Sequence, residues 1–310
     1  MTTPVSGIPG TPGGYVVFGP LANCTLDVCP IEWSVYKYRP SIAANSVFIA
    51  LFAISISIHA FLGFRWRQWN FMTLMIFGCL VEIGGYAGRL VLYNNPFSFG
   101  GFMDQIVLIT IAPVFYTAGI YITLSKTINF LAPEISRIKP ALFYWIFIPL
   151  DIVCLILQAA GGAISVVSSG GSQTGVDIAM TGLGLQVGGL FFFSALFVDY
   201  VARYVRKKPS SPLGTRMRVF LGFLGAAILL IFTRCVYRCY ELSKGYVDSN
   251  LITDQGLFIG LEGVLVVIAS FCLCIGHPGL IFGRDEPKAI SLHAFDESTN
   301  AESTNAESTN

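Results

Sequence analysis

Charge is the scarcest resource in this chain. Asp, Glu, Lys and Arg make up 12% of its 310 residues, against about 25% in a typical soluble domain. That shortage excludes a soluble globular fold with a solvated surface. Net charge is +1 and no basic stripe is present, which excludes an electrostatic footprint for nucleic acid. Histidine is rarer still: His59, His277 and His293 are too few and too scattered to build a membrane metallohydrolase site. No G-x-x-x-x-G-K-[ST] loop occurs, so the chain does not power itself as an ATPase. No G-x-S-x-G elbow occurs either, which leaves an enzyme as the least supported class. The N-terminus lacks a basic region followed by an apolar core, so no cleavable signal peptide is expected.

What fills the space is apolar residues, 54% of the chain. They fall into runs long enough to cross a bilayer as helices, which needs about 20 residues. Seven spans are predicted, near 42–63, 71–92, 104–127, 141–166, 178–202, 217–240 and 257–276. The runs are too long for strands and do not alternate strictly, so a helical bundle is expected rather than a barrel. The chain therefore reads as an all-α membrane protein: an N-terminal segment (1–40), a seven-helix domain (41–283) and a tail (284–310). The tail repeats DESTN-AESTN-AESTN; it is too polar to form a core and is expected to be disordered. No lysine lies in the interior of a span, which excludes a retinal Schiff base.

Loop charge predicts orientation. One set of alternate loops carries Arg65, Arg67, Lys126, Arg137, Lys139, Arg203, Arg206, Lys207, Lys208, Arg216, Arg218, Arg284 and Lys288. The other set carries only Lys37, Arg39 and Lys244. This places the N-terminus outside and the C-terminus in the cytoplasm. Asn23-Cys24-Thr25 is a glycosylation sequon, and Cys24 and Cys29 are a candidate disulfide in the same outer segment. The other six cysteines lie in apolar runs and read as packing residues. No metal site and no cofactor are expected.

The informative residues are the charges inside the spans. One charged side chain at mid-bilayer costs roughly 2.5–3.5 kcal/mol on insertion scales, so these must face each other or a wet cavity. Glu82 and Arg89 lie two turns apart on one face of the second span. Arg234, Arg238 and Glu241 form a stripe on the sixth. Asp151 and Gln158 come from the fourth, Gln186 from the fifth and Glu262 from the seventh. With the predicted orientation they form one nearly neutral layer in the outer half of the bundle, Asp151 deepest. Two readings stay open: polar glue that fixes helix register, or an outward-facing cavity for a polar headgroup. Glycines beside these residues (84–88, 158–163, 182–189) allow close backbone approach. Pro113 and Pro149 free backbone carbonyls in the third and fourth spans.

EIGGYAGR (82–89), D-x6-QAAGG (151–162), GLGLQ (182–186), R-x3-R-x2-E (234–241) and HPG (277–279) occur in this order on the seven spans. Together they resemble the fungal lipid-translocating exporter family, over about residues 36–283. His59, Pro113 and Tyr121 also fall where that family's pattern has them, and its acidic positions around the last span correspond to Asp254 and Glu262. The family includes proteins giving resistance to aminocholesterol and exporters of sphingoid long-chain bases, and some members are associated with porphyrins. The resemblance implies a multi-pass protein of the plasma membrane, or of a vacuolar or other endomembrane, that moves lipids or amphipathic toxins. Acidic Glu82 or Glu262 would then pair with a headgroup amine. Arg89, Arg234 and Arg238 would hold the acids ionised or bind phosphate, and Gln158 and Gln186 would supply hydrogen bonds. The alternatives are a seven-span amphiphile sensor signalling through the basic 203–218 loop and the tail, or a regulator of lipid asymmetry.

Overall fold

The structure is a computed structural model that describes residues 15–17, 19–167, 173–207, 214–243 and 254–283. The repeat tail, the middle of the basic 203–218 loop and the Lys244 loop lie outside the described residues. Seven helices are long and apolar enough to cross a membrane: α1 Ile42–Trp66, α2 Trp69–Asn94, α3 Phe99–Leu131, α4 Pro140–Val167, α5 Gln173–Lys207, α6 Thr215–Ser243 and α7 Gln255–Phe282. Each extends a few residues beyond the apolar run that predicts it. The last apolar residue of a span does not end a helix; a cap or a proline does.

Those end signals are specific. Ser41 caps α1 by accepting from the Ala44 amide at 3.3 Å, and Ser98 caps α3 by accepting from Gly101. Asp254 caps α7 by accepting from Gly256 and Leu257. Pro140 opens α4, where its missing N–H costs nothing. Arg67 closes α1 in the left-handed region (φ 54°), so α1 and α2 are joined by a two-residue turn.

α7 is not uniform. An opening turn, Gln255–Leu257, passes into a π-helical stretch, Phe258–Val264, and then into an α-helix, Leu265–Ile275. His277-Pro278 interrupts it before a final turn, Gly279–Phe282.

Neighbours in sequence pack as antiparallel pairs, α1 with α2, α2 with α3, and α4 with α5. α7 packs on both α6 and α1, closing the bundle, and α3 reaches α6 across its middle. α4 and α5 approach most closely where both present glycine. A Cβ at Gly161 would stand 2.5 Å from the Ala179 amide nitrogen, and one at Gly182 would stand 2.8 Å from the Cys154 carbonyl.

Residues 15–17 and 19–40 fold over one end of the bundle, hereafter the N-terminal end. Cys24 and Cys29 are disulfide-bonded and pack with Val17 and Phe97. Tyr36 packs with Leu92 and Phe102 between α2 and α3. Arg39 donates twice to the Tyr93 carbonyl, at 2.9 and 3.1 Å. The segment is therefore a cap with its own small core.

Candidate functional site

The polar residues inside the bundle separate into a sealed group, a group at a groove, and Asp151 by itself. The sealed group starts from a backbone defect. Pro113 has no N–H, so the Ile109 carbonyl one turn earlier in α3 has no helical partner. The Arg234 guanidinium of α6 takes that carbonyl at 2.5 Å and pairs with Glu262 of α7 at 3.0 Å. Arg234 is 1% exposed and Glu262 0%, so this one buried side chain ties three helices together.

Glu82 is also 0% exposed, and neither carboxyl oxygen has a hydrogen-bond partner among the described residues. Arg89, two turns along the same face of α2, pairs with no carboxylate among the described residues. It donates to Gln105 Oε1 (3.3 Å) and to the Tyr38 hydroxyl (2.9 Å), and its guanidinium lies 3.7 Å from the centre of the Phe258 ring. Gln105 in turn donates to the Tyr36 hydroxyl at 2.8 Å. Burial pushes the Tyr36 phenol well above its ordinary value, so it stays a neutral hydroxyl. The N-terminal cap thus closes this group from above.

Asp151 sits apart and deeper. It accepts from Thr117 (3.0 Å) and Tyr121 (3.1 Å), both on α3, and pins α4 to α3. The nine residues expected to form one layer are thus divided among three settings, because helix rotation separates side chains that share a depth.

The second group borders an apolar groove of about 570 Å³ between α3, α4, α5 and α6, within the range of about 300–1,000 Å³ usual for small-molecule sites. It runs from the N-terminal end, at Phe99, Ala163 and Leu242, to mid-bundle at Ile111 and Ile152. Val107, Ile152 and Ile156 are exposed at its mouth, on the surface a bilayer would cover. Its polar lining comes from Thr110, Gln158 and Arg238. Gln158 Nε2 donates to Gln186 Oε1 at 3.0 Å, and Arg238 pairs with Glu241 at 2.5 Å. Glu82, Arg89, Asp151, Arg234 and Glu262 do not line it.

Sequence reading does not find Gln105, Tyr36, Tyr38 or Thr117. Gln105 is a polar residue in an apolar span and carries that signal. The two tyrosines lie in a segment whose composition gives no reason to place it inside the bundle end. Asn23 is exposed and accepts from the Val16 amide at 2.8 Å. Among the described residues no three His, Cys, Asp or Glu side chains are grouped as a metal requires.

Comparison with known proteins adds lineage to this geometry. The family model described as "RTA1 like protein" matches residues 75–285, more than half of the chain. A sphingoid long-chain base transporter, RSB1, of Saccharomyces cerevisiae is 30% identical over 298 residues, covering 84% of this chain and 78% of that protein. Protein RTA1 of the same species is 28% identical, covering 78% of this chain and 86% of its own. Protein RTM1 is 24% identical, covering 79% and 92%. No solved structure matches.

Proposed function

From the chain's membership of the RTA1-like protein family, we propose that it is a multi-pass membrane exporter of sphingoid long-chain bases or closely related amphiphiles. It works by lipid binding and movement, without catalysis. The lateral groove is the observation that carries this reading. A long-chain base has one hydrocarbon chain and a compact amino-diol head, and the groove has an apolar length with a few polar groups on one wall.

We assign the chain to the α3–α4 walls and the head to the Arg238–Glu241 and Gln158–Gln186 pairs. Glu241 is the acid for the ammonium, because its partner Arg238 lines the groove whereas Glu82 and Glu262 are sealed away. An incoming ammonium competes with Arg238 for Glu241, and Gln158 offers hydrogen bonds to the hydroxyls. Burial of the chain supplies affinity; the polar pairs orient the head.

Loop charge supports an outward N-terminus, which puts the groove in the outer leaflet, and the sequon at Asn23 agrees. We place the protein in the plasma membrane.

The test is efflux of a fluorescent long-chain base from cells. Leu155→Trp fills the groove without touching any charge, and efflux should be lost at unchanged surface abundance. Glu241→Gln removes a charge-assisted hydrogen bond worth about 1.5–3 kcal/mol, so half-saturation should rise about tenfold or more. Normal efflux in both variants would overturn the groove assignment.

A further inference from the structure

Glu82 plays no part in the groove, yet both of its carboxyl oxygens are buried without a hydrogen-bond partner among the described residues. Tyr86 lies one turn along α2 and Cys79 one turn back, and Tyr116 of α3, Arg234 of α6 and Glu262 of α7 are near enough to act on it electrostatically. α1 contributes no charge there, only the Phe48 and Phe52 rings packed on Tyr86. Arg234 is already engaged by Glu262 and the Ile109 carbonyl. An unpaired carboxylate in a dry site is so costly that carboxyls in such places exchange their charge for a proton.

A series of buried polar atoms leads from this point toward the opposite end of the bundle. The Tyr116 hydroxyl donates to Cys79 Sγ at 3.4 Å. Cys79 Sγ lies 3.6 Å from Ser270 Oγ and 3.7 Å from Ser55 Oγ, and the two serine hydroxyls are 2.5 Å apart. Ser55 Oγ is 3.9 Å from Cys274 Sγ, which is 3.3 Å from His59 Nε2. His59 and His277 both pack edge-on against Phe71. A file that served only as glue would be satisfied at its ends. Glu82 lies one turn from Cys79 on the same face of α2 but is hydrogen-bonded to neither Cys79 nor Tyr116, and its carboxyl oxygens, like His59 Nδ1 and His277 Nε2 at the far end, are unpartnered among the described residues. The file's members are all buried, and hydroxyl, thiol and imidazole groups can each both give and take a proton.

We propose that Glu82 is a proton-binding site, and that lipid movement through the groove is coupled to proton movement between Glu82 and His59 along this file. The proposal rests on the exporter reading above. Loading forms an O–H bond on Glu82, and release breaks it. Each hydroxyl and thiol between accepts one proton as it gives up its own, so none changes its net state. Arg234 connects this site to the groove. When Glu82 loses its proton, it competes with Glu262 for the Arg234 guanidinium. Arg234 is one turn from Arg238 on α6, and Glu262 sits in the π-helical stretch of α7, a geometry poorer than α and frequent at functional sites. Proton occupancy thereby reaches the Arg238–Glu241 pair.

The test uses the full-length protein in vesicles that enclose a pH-sensitive dye, with a fluorescent long-chain base as probe. Protein-free vesicles are subtracted to remove the base's own protonation-linked permeation. The expected result is proton flux on adding base. An imposed gradient of about one pH unit should shift the base distribution about tenfold if one proton moves per base. Glu82→Gln should abolish both effects. Ser270→Ala, which breaks the file away from any charge, should slow the proton flux and decides the matter if Glu82→Gln does not fold. Movement of base with no proton flux and no response to the gradient would overturn this inference alone. No movement under any gradient would overturn the exporter reading, and this inference with it.

Discussion

Arg234 is bound to an acid and to a carbonyl that exists as an acceptor only because residue 113 is proline. Removing one partner of such a buried pair leaves an uncompensated charge and costs about 3–5 kcal/mol. Arg234→Met should therefore reduce stability by about that amount, measured as thermal unfolding in detergent. The double variant Arg234→Met/Glu262→Met removes both charges and should recover most of the loss, while efflux stays low because the link between α3, α6 and α7 is gone. If the double variant transports normally, the pair is glue and nothing more. Asp151 gives the contrasting case. Its two donors on α3 satisfy it locally, so Asp151→Asn keeps an acceptor and should leave substrate preference unchanged.

The interface between α4 and α5 is decided by which face each glycine occupies. Gly182 lies 2.8 Å, in Cβ terms, from the Cys154 carbonyl, whereas a Cβ at Gly184 meets nothing within 4 Å. Gly182→Ala must push the helices apart, costing about 1–3 kcal/mol. It would also distort the groove wall that α4 and α5 share. Gly184→Ala gains helix propensity and should be neutral or stabilising by up to about 1 kcal/mol. Comparing the two melting curves tests this packing, and equal effects would contradict it. α7 makes the same point from its interior. Its π-helical stretch places Glu262 toward Arg234 and Phe258 over Arg89, a local change of period that no apolar pattern announces.

The whole molecule is a closed ring of seven spans with a folded cap over one end, and cap and interior share hydrogen bonds through Tyr36 and Tyr38. Loosening the cap should therefore be felt inside. Cys24→Ser/Cys29→Ser removes a covalent closure in a small core that has little else to hold it. The expected loss is about 2 kcal/mol or more, read as lower thermal stability, together with reduced efflux as Arg89 loses its Tyr38 partner. The proposed outward N-terminus predicts that Asn23 carries glycan in cells and that Asn23→Gln migrates faster on a gel. An unmodified Asn23 in a protein whose N-terminal tag is protected from external protease would reverse the orientation.

Seven spans, the intramembrane charges and the family motifs are legible in the sequence, because each is a local property. A run of apolar residues is long enough or it is not, and a charge lies within it or outside it. The same locality explains why Pro113 reads as a freed carbonyl without revealing its taker. Which charges meet depends on helix rotation, set by contacts between residues far apart in the chain. Ile109 and Arg234 are 125 positions apart, and Ser55 and Ser270 are 215 apart. Sequence alone therefore determined that charged and polar groups lie inside a seven-helix bundle, and that the chain resembles the fungal lipid-translocating exporters. Tertiary structure alone decided that Gln158 and Arg238 line a groove with Gln186 and Glu241 as their partners, while Glu82 is sealed without a hydrogen-bond partner among the described residues. The physical reason is that the bilayer enforces length and polarity residue by residue, but only packing fixes which face of each helix meets which neighbour.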